Sequence, residues 1–400
     1  ADVPDPLLHL LLPRASSPLG AEQAVGVTYN RVHADADRAV GEIVNRFHEY
    51  AEAHDTVLVI GSDFTDIPGP TEFSVNARIA ANIGAPVILV VPAIDREPED
   101  VATAASLTVH EARTQHADVL AIIANRVAHD RTDTTREVLA EHLPDHTAYV
   151  LPANEILAAP TVRDLMTAID GELLLGDESL LDQEAMSLIV AGMTMPNVLE
   201  RLTDGSVVIC PADREEVLLA ALQAHRASTF PALSGIVLNG GFPLSPQVSR
   251  LVEGLDVQLP VVTTTYGTFT TSTRCYGARP RIAPGSHRKI ETARATFAHH
   301  VDGDALLTAV DLPRAQVVTP LMFEYDLIER ARADRRHIVL PEGTDDRVLR
   351  AASTLLARDV VDLTILGNES AVRARGRELG LGLDAARIVA TDDPDLRDRF

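Results

Sequence analysis

The chain has 400 residues, 46% of them hydrophobic, and a formal net charge of −23 at pH 7. This length allows two or three domains of typical size, each with a sizeable core. An acidic surface repels nucleic acid and anionic membranes, and with no Trp and 4% aromatic residues the chain has few side chains on which bases could stack. We therefore expect neither a nucleic-acid partner nor a membrane partner.

The two cysteines, Cys210 and Cys275, match no zinc motif and are typical of a reducing compartment. No apolar run is long enough to span a membrane, and no basic region precedes the short apolar run near the start, so no secretory signal is predicted. These features predict a cytoplasmic protein without a metal site. Because the chain begins without Met and in mid-pattern, we also expect further residues upstream.

Helical and strand patterns alternate in the first predicted domain, residues 1–158. A helix over 35–54 leads into the apolar run "TVLVIG" at 56–61, and further helices lead into the runs "PVILVV", "DVLAIIANRV" and "TAYVLP". Nearly continuous apolar runs are typical of strands that are buried on both faces. The pattern predicts a parallel sheet between two layers of helices.

The first candidate site follows the run at 56–61. Ligands bind beyond the carboxyl ends of parallel strands, where Gly61, Ser62 and Asp63 are expected, and Asp63 stands where nucleotide-binding relatives hold Mg²⁺. The alternative is a polar exit from the strand. A phosphate-binding P-loop needs Gly-Lys-Ser/Thr, and the one lysine of the chain, Lys289, lies in "HRKIE", so the chain contains no P-loop.

The second predicted domain, residues 159–310, has strands at "AMSLIVAG", "GSVVICP", "LSGIVLNGG" and "QLPVVTTT" that alternate with helices. Asp213 precedes a helix and has a Glu three residues later, which favours a capping role. Gly240 and Gly241 follow a strand and indicate a turn with positive φ. The alternative is that both glycine amides point toward Arg214 and hold an anion such as a nucleotide phosphate.

The Thr-, Gly- and Pro-rich segment 263–289 is predicted to be a loop that carries the only basic patch of the chain. The patch either receives an anionic effector or an acidic face of another subunit, or it is a solvated linker. Its basic residues are Arg274, Arg279, Arg281, Arg288 and Lys289.

The last segment predicts the opening of a third α/β domain over 321–400. A buried strand at 337–341 is followed by a turn with Glu342 and Gly343, an amphipathic helix, and a second strand at 361–366. Too few residues follow the first strand for a whole domain of this type, so we expect the domain to be incomplete here.

These patterns together resemble a known enzyme family. The segments "IVLPEG", Asp-x-Arg and "VDLTILGN" resemble the opening of the acyltransferase domain of phosphate acetyltransferases. The series from "VLVIGSDF" to "DVLAIIANRV" resembles the N-terminal domain of the long-form enzymes, which is similar in fold to dethiobiotin synthetase. The segments "ADREEVL" and "VLNGG" are similar to the DRTGG domain, and Asn239 stands where that pattern has Thr.

The resemblance, closest to the actinobacterial type, implies α/β three-layer domains with parallel sheets in series: a degenerate P-loop-like domain, a DRTGG domain and the start of an acyltransferase domain. The implied reaction is reversible acetyl transfer between acetyl-CoA and phosphate, which gives acetyl phosphate and CoA. No metal or tightly bound cofactor is implied, and a homo-oligomer is expected.

Glu342, Asp345 and Arg347 match the family's opening motif and are expected to line the active-site cleft. The alternative is that Asp345 lies at a helix N-terminus and Arg347 forms a surface ion pair. The family's Asp base, Ser and phosphate-binding Arg are expected beyond Phe400, so no catalytic residue is assigned and the 400 residues alone are predicted to be inactive.

Two other functions stay open at this point. These 400 residues are predicted to serve mainly regulation and assembly. One alternative is therefore a non-catalytic module that senses metabolites and holds subunits together. The other is an ATP-dependent amide-forming ligase, which the missing P-loop lysine disfavours.

Overall fold

The computed structural model describes residues 6–15, 17–62, 71–255, 257–311 and 318–390. The chain divides into two compact units, each built from several segments. The first unit comprises Ala1–Val25, Pro86–Thr114 and Asp118–Pro313, and the second comprises Gly26–Ala85, Gln115–Ala117 and Arg314–Phe400. Helices and mainly parallel strands form both units, which confirms the predicted α/β class.

The strands form three sheets. In chain order they are β1 (Val87–Pro92), β2 (Val119–Val127), β3 (Ala148–Pro152), β4 (Glu172–Leu175), β5 (Ser187–Val190), β6 (Ser206–Pro211), β7 (Gly235–Asn239), β8 (Val261–Thr263), β9 (Arg336–Leu340), β10 (Val361–Leu366) and β11 (Arg387–Val389).

Helices precede or follow most of these strands. In chain order the α-helices are α1 (Pro6–Leu11), α2 (Ala21–Ala24), α3 (Tyr29–Ala34), α4 (Ala36–Ala51), α5 (Thr71–Ile83), α6 (Pro98–Thr114), α7 (Thr132–His142), α8 (Glu155–Ala158), α9 (Val162–Ala168), α10 (Met195–Leu199), α11 (Glu215–Arg226), α12 (Pro246–Glu253), α13 (Thr268–Tyr276), α14 (His287–His300), α15 (Gly303–Asp311), α16 (Pro320–Ala333), α17 (Asp346–Ala357) and α18 (Glu369–Glu378).

The first unit contains a three-stranded parallel sheet in the order β1-β2-β3. Four consecutive residues in the middle of β2, from Ala121 to Ala124, are buried, as expected for a strand covered on both faces. Helices α6 and α7 pack against each other and against this sheet. The predicted strands at "PVILVV", "DVLAIIANRV" and "TAYVLP" are therefore confirmed.

The second sheet of this unit has five strands in the order β4-β8-β7-β6-β5. Strands β5 to β8 run parallel, and β4 pairs antiparallel with β8. Alternate residues of β6 face opposite sides: Val208 and Cys210 pack with α11 and α12, whereas Val207 and Ile209 pack with α9 and α13. The sheet is thus the middle of three layers, as predicted.

In the second unit, β9, β10 and β11 form a parallel sheet in the order β11-β10-β9. Leu349 and Ala352 of α17 pack on Leu363 and Ile365 of β10. Elsewhere in this unit, α16 packs against α4 and α5, and the His48 ring stacks on Tyr325 with centroids 3.7 Å apart.

Three predictions about elements are wrong. Residues 56–62 form neither a strand nor a helix, and Leu58 is 80% exposed, because no described strand pairs with this apolar run. Strand β9 is exposed, because it lies at the edge of the described sheet. The predicted loop 263–289 contains α13, because Thr271 and Cys275, four residues apart, are buried on one face of that helix.

Candidate functional site

The carboxyl edge of the five-stranded sheet brings together all five residues predicted for the second domain. Strand β6 ends just before Asp213 and Arg214, and β7 ends at Asn239, which Gly240 and Gly241 follow. Because β6 and β7 are parallel neighbours, their carboxyl ends lie side by side. This edge is where ligands bind in open α/β sheets.

Arg214 connects two strand ends. Its Nη1 donates to the carbonyl oxygens of Ala191 (3.2 Å) and Met193 (2.8 Å), which follow β5. Its Nε and Nη2 donate to Glu216 Oε1 at 3.0 and 2.9 Å, and these bonds lower the pKa of the Glu216 carboxyl. The guanidinium therefore has a structural set of acceptors within the domain.

The glycine pair forms the predicted turn with positive φ, with φ of 92° at Gly240 and 71° at Gly241. The Gly240 amide donates to Tyr266 O at 2.8 Å, and the Gly241 amide donates to Thr264 O at 3.1 Å. Both amides are occupied by the chain itself, so in this conformation they offer no cradle to an anion. A ligand at this edge stays a prediction and would need other donors.

Asn239 offers such a donor. Its side chain is 1% exposed, and its Oδ1 accepts a hydrogen bond from Thr268 Oγ1 at 3.2 Å. Its Nδ2 has no hydrogen-bond partner within the described part of the chain. Thr268 is the first residue of α13, so the Asn239 amide lies next to a helix N-terminus.

The capping role predicted for Asp213 is not found. Helix α11 has Arg214 at its N-cap, no side chain forms a hydrogen bond that caps it, and Asp213 is exposed. Arg214 takes the cap position because the Pro211 carbonyl accepts its amide in a tight turn at the strand end.

Of the residues in the predicted basic patch, Lys289 is buried, and Arg274, Arg279, Arg281 and Arg288 are exposed. Lys289 is fully buried, and its Nζ donates to the carbonyl oxygens of Ala159 (2.5 Å) and Arg281 (3.2 Å). Burial lowers the pKa of this ammonium group, while the nearby Asp164 and Glu184 carboxylates oppose that effect. Arg274 pairs with Asp170 at 2.8 Å, and its guanidinium lies 4.2 Å from the centre of the Tyr266 ring.

The predicted site of the first domain is described only in part. Gly61 and Ser62 are exposed, and Asp63 lies outside the described residues. Asn76 of α5 connects to this segment: its Nδ2 donates to Ser62 O at 3.2 Å, and its Oδ1 accepts from Ser62 Oγ at 3.4 Å. Asn76 was not predicted as a site residue, because a polar residue on a half-buried helix face has many ordinary roles.

The third group of predicted residues lies where β9 ends and α17 begins. Asp345 is the N-cap of α17, and its carboxylate accepts from the Arg347 amide and guanidinium, each at 2.8 Å. These bonds lower the pKa of Asp345 to about 2. Glu342 is exposed at the same edge, and Gly343 approaches β10 so closely that a Cβ there would lie 2.5 Å from Leu366 O.

The described residues provide neither a reactive thiol nor a cluster of metal ligands. Burial raises the pKa of Cys210 to about 12 and that of Cys275 to about 11, so neither thiol is a nucleophile at neutral pH. No group of three or more His, Cys, Asp or Glu residues in the described ranges could hold a metal ion. Among the described helices, none is both long and apolar enough to cross a membrane.

Three families match successive parts of the chain. The family described as "AAA domain" matches residues 16–161, the "DRTGG domain" matches 164–278, and "Phosphate acetyl/butaryl transferase" matches 322–400. The chain has the domain series of the long-form phosphate acetyltransferases. The resemblance stated from the sequence is therefore confirmed.

Relatives that carry the name phosphate acetyltransferase align with most of the chain. The protein of Nitratidesulfovibrio vulgaris is 34% identical over 369 residues, which cover 90% of the chain and 51% of the relative. Those of Synechocystis and Escherichia coli are 28% and 26% identical, over 91% and 87% of the chain and 53% and 52% of the relatives. The chain spans about half the length of the curated relatives it matches.

Among the predicted site residues, those within the DRTGG match have the most hydrogen-bond contacts in the structure. Arg214, Gly240 and Gly241 have structural partners, whereas Asn239 Nδ2 is buried and has no partner among the described residues. Sequence reasoning missed Thr268, because the segment that contains α13 was predicted to be a loop.

Proposed function

We propose that the protein to which this chain belongs transfers an acetyl group reversibly between acetyl-CoA and inorganic phosphate. The observation that carries the proposal is the match of residues 322–400 to the phosphate acetyl/butaryl transferase family, downstream of the DRTGG match. Relatives named phosphate acetyltransferase align across both segments. We propose that the segments before residue 320 serve regulation and assembly.

The reaction needs a base in one direction. When a phosphate oxygen attacks the thioester carbonyl, the C–S bond breaks and CoA leaves; in reverse, the CoA thiol must lose its proton before it attacks acetyl phosphate. A free thiol has a pKa of about 8.5, so a nearby base assists this step. Asp345 is poorly suited to that role, because a carboxyl with a pKa of about 2 is a very weak proton acceptor.

We propose instead that Glu342, Asp345 and Arg347 line the active-site cleft without reacting. All three follow the carboxyl end of β9, the edge where parallel sheets bind ligands. The Arg347 side chain is 88% exposed although it pairs with Asp345, so its guanidinium remains accessible to a phosphate group. Arg347 is the residue of the three that suits an anionic substrate.

The test is an assay of thiol release from acetyl-CoA with and without phosphate, using protein expressed from the whole reading frame. We expect phosphate-dependent release, and we expect Arg347→Gln to raise KM for phosphate more than it lowers kcat, because it removes binding and not chemistry. Arg350→Gln, on the exposed face of the same helix, is the matched control and is expected to leave both constants unchanged.

Release of CoA that does not depend on phosphate, or no release at all, would remove the transferase proposal. The 400-residue chain assayed alone is expected to release none, because no catalytic residue is assigned to it and Asp345, with a pKa of about 2, is too weak a base for the CoA thiol. Full activity of that chain would show that its own residues complete the site.

A non-catalytic sensing module is the second candidate, and the unused donor of Asn239 favours it. The amide-forming ligase is less well supported. The only lysine of the chain is buried and donates to two backbone carbonyls, so it is not placed to bind a phosphate group. We also propose a cytoplasmic homo-oligomer, whose subunit number light scattering on the purified protein would give.

A further inference from the structure

The Asn239 side chain presents a buried donor without an acceptor. A buried N–H group that lacks a hydrogen bond destabilises the folded state. Native proteins keep few such groups, and each one calls for an explanation. Of the two polar atoms of this side chain, Oδ1 accepts a hydrogen bond from Thr268 Oγ1, and Nδ2 has no hydrogen-bond partner among the described residues.

The start of α13 lies beside this amide and offers further donors. The helix has nine residues, and its N-cap, Gly267, provides no side-chain hydrogen bond. The amides of Thr268, Phe269 and Thr270 therefore have no acceptor within the helix, and the helix dipole places partial positive charge there. A Cβ added at Gly267 would meet nothing within 4 Å, so the approach to these amides is open.

The groups that converge here share one chemistry. Asn239 Nδ2 and the first amides of α13 are hydrogen-bond donors, and together they match the oxygens of a phosphate or a carboxylate. We propose that this edge of the DRTGG sheet, between the end of β7 and the start of α13, binds the oxyanion group of a small metabolite. Asn239 is its side-chain ligand, and Thr268 orients the Asn239 amide by donating to its Oδ1.

Access to the site requires a small movement. Nδ2 is closed off from solvent, so an oxyanion reaches it only after a neighbouring side chain moves. The ring of Phe242 lies against Gly240, because a Cβ there would be 2.9 Å from it, and Phe242 is 54% exposed. A half-exposed ring next to this turn can move without disturbing the core.

Titration calorimetry on the 400-residue chain tests the proposal with inorganic phosphate as one probe and acetate as the other, at constant ionic strength set with sodium chloride. We expect saturable binding of at least one probe, and the probe that binds identifies the source as phosphate or carboxylate. Asn239→Asp places a negative charge beside the oxyanion and is expected to weaken binding at least ten-fold. Asn154→Asp is the matched control, because it adds the same charge at the N-cap of α8, where Asp also caps a helix.

A second variant keeps the test decisive if Asn239→Asp fails to fold. Asn239→Leu has a similar size and removes both the unpartnered donor and the acceptor of Thr268 Oγ1. These two changes act on stability in opposite directions, so we expect a thermal midpoint close to that of the wild type and loss of the binding of the probe. Wild-type affinity in Asn239→Leu, or no heat beyond that of chloride for either probe with the wild-type chain, overturns the proposal. Because no acetyl-CoA is present, either result leaves the proposed acetyl transfer untouched.

Discussion

His225, near the C-terminus of α11, accepts a hydrogen bond that depends on its charge state. The Leu233 amide donates to its Nδ1 at 3.0 Å, and burial lowers the pKa of the ring. In the folded state the pKa thus lies below its unfolded value of about 6.5, and as the pH falls through 6.5 the unfolded chain takes up a proton that the folded chain resists. The contribution of the neutral His225 ring to the free energy of unfolding is therefore complete above a pH of about 6.5 and decreases below it.

We expect His225→Asn to flatten the decrease of the unfolding free energy between pH 7.5 and 5.5, because Asn Oδ1 can accept the Leu233 amide and does not titrate. The hydrogen bond itself contributes about 0.5–1.5 kcal/mol. Urea unfolding at several pH values measures the effect, with the exposed His110→Asn as control. If the two variants show the same pH dependence, His225 does not contribute to it.

Single residues also show what the sequence does not reveal. Lys289 lies in a Pro-, Gly- and Arg-rich segment, and nothing in its sequence neighbourhood indicates that Ala159 O, 130 residues earlier, accepts a hydrogen bond from its ammonium group. Asn239 was correctly placed at a strand end, but its unused amide depends on Thr268, 29 residues later. Such pairings are tertiary contacts, which local patterns do not contain.

At the scale of elements, the apolar runs predicted most strands, because a strand that is buried on both faces needs a continuous apolar sequence. The run at 56–61 has that sequence and yet forms no strand, since pairing also needs a neighbour. Helix α13 was missed for the opposite reason: its Thr-rich sequence has low helix propensity, and packing of Thr271 and Cys275 on the sheet supplies the stability.

The turn after β7 gives a prediction at this scale. Gly240→Ala should destabilise the chain by about 1–3 kcal/mol, because φ is 92° and the new Cβ would lie 2.9 Å from the Phe242 ring. Gly254 is the matched control: it ends α12 with φ of −80°, and its nearest atom to a new Cβ is 3.6 Å away. Gly254→Ala should therefore be neutral or stabilise by up to about 1 kcal/mol.

Chemical denaturation separates the two glycine variants. Equal midpoints for Gly240→Ala and Gly254→Ala would mean that the turn relaxes at no cost and that its positive φ is not required.

At the scale of the whole molecule, the order of the three domains was readable from the sequence, because each resemblance rests on short motifs in fixed order. The boundaries at 158, 159, 310 and 321 stay predictions. The packing of the middle segment bears on them: among the described residues, both cores of the five-stranded sheet consist of side chains between Val162 and Ala278.

We therefore predict that the fragment 159–310 folds by itself with one cooperative unfolding transition. The shorter fragment 159–300 should have the same urea midpoint, because Val301 and Leu306 pack on Ala121 in the three-stranded sheet and not on the five-stranded one. Both fragments retain Lys289 and its acceptors Ala159 and Arg281. A lower midpoint for 159–300 would place α15 in the domain, and a fragment 159–310 without a cooperative transition would show that the DRTGG sheet depends on the rest of its unit.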